Sequence, residues 1–238
     1  MLVAAACGGG SGTKTTPATE PATTTLRVYF LRNGEVQPVA RTVPKTKAVA
    51  AAALRELVKG PTTQEQRDLH LSTGISNGGF HDLAVEHGAA LLLFPTGHFS
   101  HAGLAQLIYT LTQFSNVHEV KFGTQLVRFT RADFEDLTPL ILVESPLPFE
   151  IVHSPLRATG TANTFEATFD YDLVGPDGEL LAHHFVTATS GSGTRGTFDF
   201  TAPFTVSHSG QGKLVVYELS AKDGSRIHQV AIPLQLAP

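Results

Sequence analysis

The sequence predicts an α+β domain, a mixed sheet carrying two main helices, followed by an all-β sandwich. Three observations predict it. Strand-like and helix-like segments interleave through residues 26–129, the pattern of helices layered on a sheet. From 139 to 238 only period-two segments remain, divided by turn residues. A polar stretch at 130–138 separates the two patterns and reads as an interdomain linker. The 238 residues are ample for two such cores.

Leu26 to Arg32 alternates and meets Asn33-Gly34, a dipeptide that tolerates φ > 0 twice and so favours a two-residue hairpin. Glu35 to Val43 is the returning strand, and Pro38 marks it as an edge. Val49, Ala50, Ala53, Leu54, Leu57 and Val58 recur at helical spacing, predicting a helix over 47–59 that Gly60-Pro61 ends. Thr62-Thr-Gln-Glu65 is a capping box for a short second helix. Strand pieces follow at 70–75, 82–86 and 89–94. Ser100 caps another helix, with Leu104, Leu107, Ile108, Leu111 and Phe114 as one apolar stripe. Val117 to Phe122 is a further strand.

Beyond the linker the segments 141–144, 156–161, 165–174, 180–189, 196–204, 213–220 and 227–236 read as strands. Gly175-Pro-Asp-Gly178 and Lys222-Asp-Gly-Ser225 are turns. Phe165, Ala167, Phe169, Tyr171 and Leu173 alternate with Glu166, Thr168, Asp170 and Asp172, so the first set is expected in the core and the second in water. About seven short strands in about 100 residues predict an immunoglobulin-like sandwich.

Charge and composition narrow the function. With 21 acidic and 17 basic residues the net charge is −4, no electrostatic footprint for nucleic acid. The single cysteine excludes an intrachain disulfide. The apolar run at 88–94 is far short of the ~20 residues that cross a bilayer. No P-loop or His-Glu-x-x-His occurs, so no enzyme is expected. His98 and His101 are the weak metal candidates. With Ser100 as the cap His98 falls outside the helix, and no third ligand is near in sequence, so no metal is expected. Glu166, Asp170 and Asp172 share a strand face, while His183 and His184 point to opposite sides. Glu218, Asp223 and Arg226 gather around one turn and form a candidate partner-contact edge; the alternative is a plain turn solvated by Arg226. Arg195 follows a Gly-rich loop, which it either braces or uses to contact a ligand.

Met-Leu-Val-Ala-Ala-Ala-Cys7 precedes a Gly/Thr/Pro tract at 8–25 with no aliphatic residue larger than Ala, read as a disordered tether. Small residues before a cysteine and a flexible spacer after it resemble the lipobox of bacterial lipoproteins. There the signal peptide is cut before the cysteine and the thiol carries diacylglycerol. Residues 1–7 then read as a truncated signal, and Cys7 as the site of a diacylglycerol and acyl (palmitate) anchor. That places the protein on the extracytoplasmic face of the cell membrane, since two or three chains anchor stably. No other cofactor is expected.

Val28-Tyr-Phe-Leu31, Lys59-Gly-Pro-Thr62, Leu71-Ser-Thr73, and Leu104 to Phe114 with Val117-x-x-Val120-x-Phe122 resemble, in order, a GerMN domain, the sporulation and spore germination module. Val143-Glu-Ser-Pro-Leu-Pro148, Gly160-Thr-Ala-Asn163, Gly191-x-Gly-x-Arg-Gly-Thr-Phe198 and Glu218-x-Ser-Ala-x-Asp-Gly-Ser-Arg226 resemble the immunoglobulin-like domain of bacterial spore germination. The chain has Ser190 and Thr194 where relatives often carry cysteines, and Phe149 where a glycine is usual. The resemblance implies a non-enzymatic envelope lipoprotein, linked to sporulation and germination, that scaffolds or contacts envelope proteins or peptidoglycan. The alternative is a lipoprotein that binds wall polysaccharide or a small ligand. A histidine-dependent envelope hydrolase is a remoter one.

Overall fold

The computed structural model describes residues 22–75, 83–93, 99–124 and 126–238. They form a mixed α+β domain followed by a β-sandwich, each around its own core. Cys7, the tether as far as residue 21, and His98 lie outside the described residues.

β1 (Thr23–Arg32) and β2 (Glu35–Pro44) pair over their whole length. Asn33 (φ 54°) and Gly34 (φ 90°) make the turn, as their tolerance of left-handed backbone predicts. β1 starts at Thr23, so the last residues of the expected tether are in the sheet. β3 (Leu71–Ser72) completes the order β2-β1-β3 and leaves β2 at an edge, where Pro38 fits. α1 (Val49–Lys59) buries Ala50, Ala53, Leu54 and Leu57. α2 (Thr63–Asp68) has the expected capping box, and Arg41 also holds the Glu65 carboxylate at 2.5 and 2.7 Å.

A second sheet has the order β4-β5-β6-β7: β4 (Leu83–Glu86), β5 (Ala89–Leu92), β6 (Glu119–Phe122) and β7 (Val127–Phe129). β5 and β6 are parallel, and α3 (His101–Leu111) is the crossover between them. Ser100 caps α3 by accepting from the Gly103 amide at 3.1 Å. The helix stops at Leu111, so Phe114 lies past its end.

α3 is buried on all sides from Gly103 to Leu111, polar residues included. β3 covers only Leu31 and Arg32 of β1's second edge, so Arg27 and Tyr29 lack a strand partner there. Side chains from α3 and the turn after it stand in for one. Thr110 Oγ1 accepts from Tyr29 N (3.1 Å), and Gln106 donates to Tyr29 O (3.0 Å). Gln113 accepts from Arg27 N and donates to Arg27 O. Positions 106, 110 and 113 follow helical spacing, so one polar stripe satisfies backbone groups that burial would otherwise leave unpaired.

Residues 130–138, expected as a linker, hold a packed 3-10 segment (Arg131–Leu137) with Phe134 fully buried. The sandwich pairs β8 (Ile141–Ser145), β10 (Leu156–Ala162) and β13 (Gly196–Ala202) in the order β13-β10-β8. Opposite lies β12-β11-β14-β15-β9: β9 (Ile151–Val152), β11 (Thr168–Val174), β12 (Leu180–Thr187), β14 (Gly210–Leu219) and β15 (Arg226–Leu236). Inner-face rings bridge the sheets, with Phe169–Phe198 centroids at 5.0 Å and Tyr171–Phe200 at 4.4 Å.

Two expectations for β11 need correction. Phe165 is not in the core: Glu166 and Ala167 take positive φ, the alternation starts only at Thr168, and Phe165 is 68% exposed. Asp172 is not solvated: it is buried beneath Arg226, His183 and Tyr217.

Candidate partner-binding face

The seam between the domains fixes which surfaces remain free. Arg131 is its centre. It donates to Glu144 Oε1 (2.9 Å) on β8 and to Thr112 Oγ1 (2.8 Å) after α3, and lies 4.6 Å from the Tyr109 ring centroid and 5.6 Å from that of Tyr29. The Tyr29 hydroxyl donates to the same Glu144 carboxylate. Burial opposes the charge on Glu144, but Arg131, the Tyr29 hydroxyl and Arg27 together hold its carboxyl below the usual range. Burial and the Glu144 charge push the Tyr29 phenol well up.

A second clamp joins the 3-10 segment to the sandwich. Arg195 Nε donates to Glu135 Oε2 (2.9 Å) and Nη2 to the Pro139 carbonyl (3.0 Å), while Asn163 donates to Glu135 Oε1 (2.8 Å). Partial burial of Glu135 is outweighed by these bonds, and its carboxyl is held low. Arg195 thus braces the fold. At the β1–β2 turn Arg32 donates to the Ala231 carbonyl of β15 (3.1 Å). A cleft of ≈ 680 Å³ remains beside the seam, lined by Arg27, Glu65, Gln113, Glu144, Phe149 and Glu150. Its carboxylates are all bonded: Glu65 to Arg41, Glu144 to Arg131, Glu150 to the Leu147 amide.

The outer face of the five-stranded sheet collects the other candidates. Asp172 is its hub. It accepts from the Tyr217 hydroxyl (3.2 Å), faces His183 Nδ1 at 2.9 Å and pairs with Arg226 Nη2 at 2.7 Å. The Arg226 guanidinium lies 4.0 Å from the Tyr217 ring centroid, so cation and ring are stacked. Burial, with the Asp172 charge beside it, raises the Tyr217 phenol. Around this hub Phe185, Leu180 and Leu219 are 59%, 60% and 52% exposed. These large apolar side chains on one open face make it the candidate interaction surface.

The predicted partner-contact residues do not form one cluster. Arg226 belongs to the Asp172 hub. Glu218 is buried, accepting from the Phe165 amide (2.9 Å) and facing His228 Nδ1 at 2.6 Å. Asp223 shapes its own turn; the Ser225 hydroxyl and amide bond it and hold its carboxyl low. Arg195 is at the seam. His101 Nε2 faces Asp136 at 3.0 Å, with its ring over Phe134. No group of three or more His, Cys, Asp or Glu side chains able to hold a metal occurs among the described residues. Sequence reading missed Arg131, Glu144 and Phe185. The signal for Phe185 was a large apolar residue in a strand with no charged residue to guard it.

Both domains have recognisable relatives. Residues 27–124 match the family described as sporulation and spore germination, and residues 140–225 match the immunoglobulin-like domain of bacterial spore germination. Each match covers its own domain: the first is similar to the sporulation and spore germination family, the second to the immunoglobulin-like domain of bacterial spore germination. Among solved structures it is similar to the tandem GerMN domains of the sporulation protein GerM from Bacillus subtilis, at 16% identity and a TM-score of 0.38. That match covers 79% of this chain and 63% of the other. No curated protein matches the chain.

Proposed function

We propose that this protein is a non-enzymatic, lipid-anchored envelope protein that scaffolds or binds other envelope components in sporulation and germination. The observation that carries the reading is the outer face of β11 and β12, which holds Phe185 and Leu180 in water on a body whose domains are clamped together. A clamped body presents such a face in fixed orientation, which lowers the ordering cost of binding. Cys7 would hold it on the extracytoplasmic side of the membrane through its acyl chains, with the tract after it setting the reach.

Binding of wall polysaccharide or a small ligand is the second reading, and the cleft beside the seam favours it. All four tyrosines are buried, however, so none offers a ring for sugar stacking, and the chain has no tryptophan. The test is made in cells. Labelled palmitate enters the full-length protein and is lost in Cys7→Ala, and cross-linking recovers specific envelope proteins. Label retained in Cys7→Ala refutes the anchor. A protein that cross-links to no other protein but binds muropeptides refutes the scaffold.

A further inference from the structure

Arg226, Tyr217 and Asp172 span three adjacent strands. The cation leaves β15, crosses the ring on β14 and reaches the carboxylate on β11. One strand further out, the ring and the carboxylate recur without the cation. Phe185 on β12 is the ladder partner of Asp170 on β11, so both project from the same outer face. Asp170 is half-buried and neither accepts a hydrogen bond nor pairs with a cation among the described residues. β12 ends its sheet, so the place from which a cation would come is an open strand edge.

That edge is unguarded. Leu180–Thr187 contains no lysine, arginine or proline, the residues that usually block added strands. His184 Nδ1 sits 2.9 Å from the Phe185 carbonyl, a bond that an incoming backbone N–H would replace. We propose that the β12 edge binds an extended, basic segment of a partner polypeptide. The segment adds to the sheet and lays an arginine or lysine beside Phe185, across its ring, to Asp170. The span is two strand spacings, roughly 10 Å, which Arg226 already bridges on the same face. A second copy of this chain is the poorer occupant, because β12 paired with β12 brings no lysine or arginine to Asp170.

The inference rests on the interaction reading above, but the anchor and cross-linking results stand whatever happens at β12. The test uses the full chain and two fluorescein-labelled peptides, Thr-Val-Thr-Val-Arg-Val-Thr-Val-Thr and the same peptide with a central Glu, followed by anisotropy. The arginine peptide binds about five- to tenfold more tightly than the glutamate peptide. Asp170→Asn removes that preference. Phe185→Lys, which supplies Asp170 with a cation of its own, removes it too. Equal binding of the two peptides, binding of neither, or a preference that survives in both variants overturns the proposal. So does self-association of the parent protein in sedimentation that Phe185→Lys abolishes.

Discussion

Replacing Arg131 by alanine strips the interdomain seam of its cation and leaves its carboxylate behind. Glu144 has a side chain only 12% exposed, so without Arg131 it keeps a charge that water barely reaches. Breaking a buried pair from one side costs about 3–5 kcal/mol. The Tyr29 hydroxyl and the nearby Arg27 stay in place and pull the figure to the low end. The two lost ring contacts add about 0.5–1 kcal/mol each. The expected loss is therefore about 4–5 kcal/mol, read as a melting temperature lower by roughly 8–20 °C in a protein of this size. Urea denaturation and calorimetry at pH 7 measure it. Arg131→Met combined with Glu144→Leu leaves no orphan charge and recovers most of the loss, giving a strong coupling energy in the double-mutant cycle. A single Arg131→Ala variant within about 1 kcal/mol of the parent refutes this account of the seam.

The same groups set the pH range. Glu144, Glu135 and Glu65 have folded-state pKa values below their unfolded ones, so their contribution is complete above about pH 4.5 and is lost as pH falls through the folded values. Tyr29 is raised, so its contribution is complete below about pH 10 and is lost above that. Urea midpoints taken at pH 3, 7 and 10.5 should peak at pH 7, and a flat profile contradicts the pairing. Gly160 sits where β8 crosses a β10 register shift, and a Cβ there would stand 2.0 Å from the Leu142 carbonyl oxygen and 2.7 Å from the Phe198 ring. Gly160→Ala should cost at least about 2–3 kcal/mol in the same melts, and a neutral effect would mean that β8 yields freely.

Local chemistry was the legible part of the sequence. Asn33-Gly34, the Thr62–Glu65 box and the Ser100 cap each act within four residues, and each stands where its spacing predicts. What failed depended on distant chain. Asp172 reads as solvated on its own strand; the residues that cover it, His183, Tyr217 and Arg226, come from three other strands. Phe165 reads as core only if the strand continues, and the left-handed backbone at Glu166 and Ala167 breaks it. The polar stretch at 130–138 looks like a hinge because Arg131 and Glu135 are charged, yet both charges face inward to partners beyond the stretch. Gln106 and Thr110 on α3 and Gln113 just past it carry a readable signal, three polar residues at helical spacing in a largely apolar segment, and the role of that stripe appears only once β1 lies beside it. Of the candidate contact residues, Arg226 alone reaches the open face, because the turn that gathers them sends their side chains to different sides.

The position of β1 bears on how the molecule would take a load. It is the middle strand of its sheet. A pull on β1 from its start sets ten residues of paired backbone in shear against β2, with side chains of α3 and the turn after it bonded to the other edge, instead of peeling bonds away singly. Load applied through the N-terminus would thus fall on all ten paired residues of β1 at once.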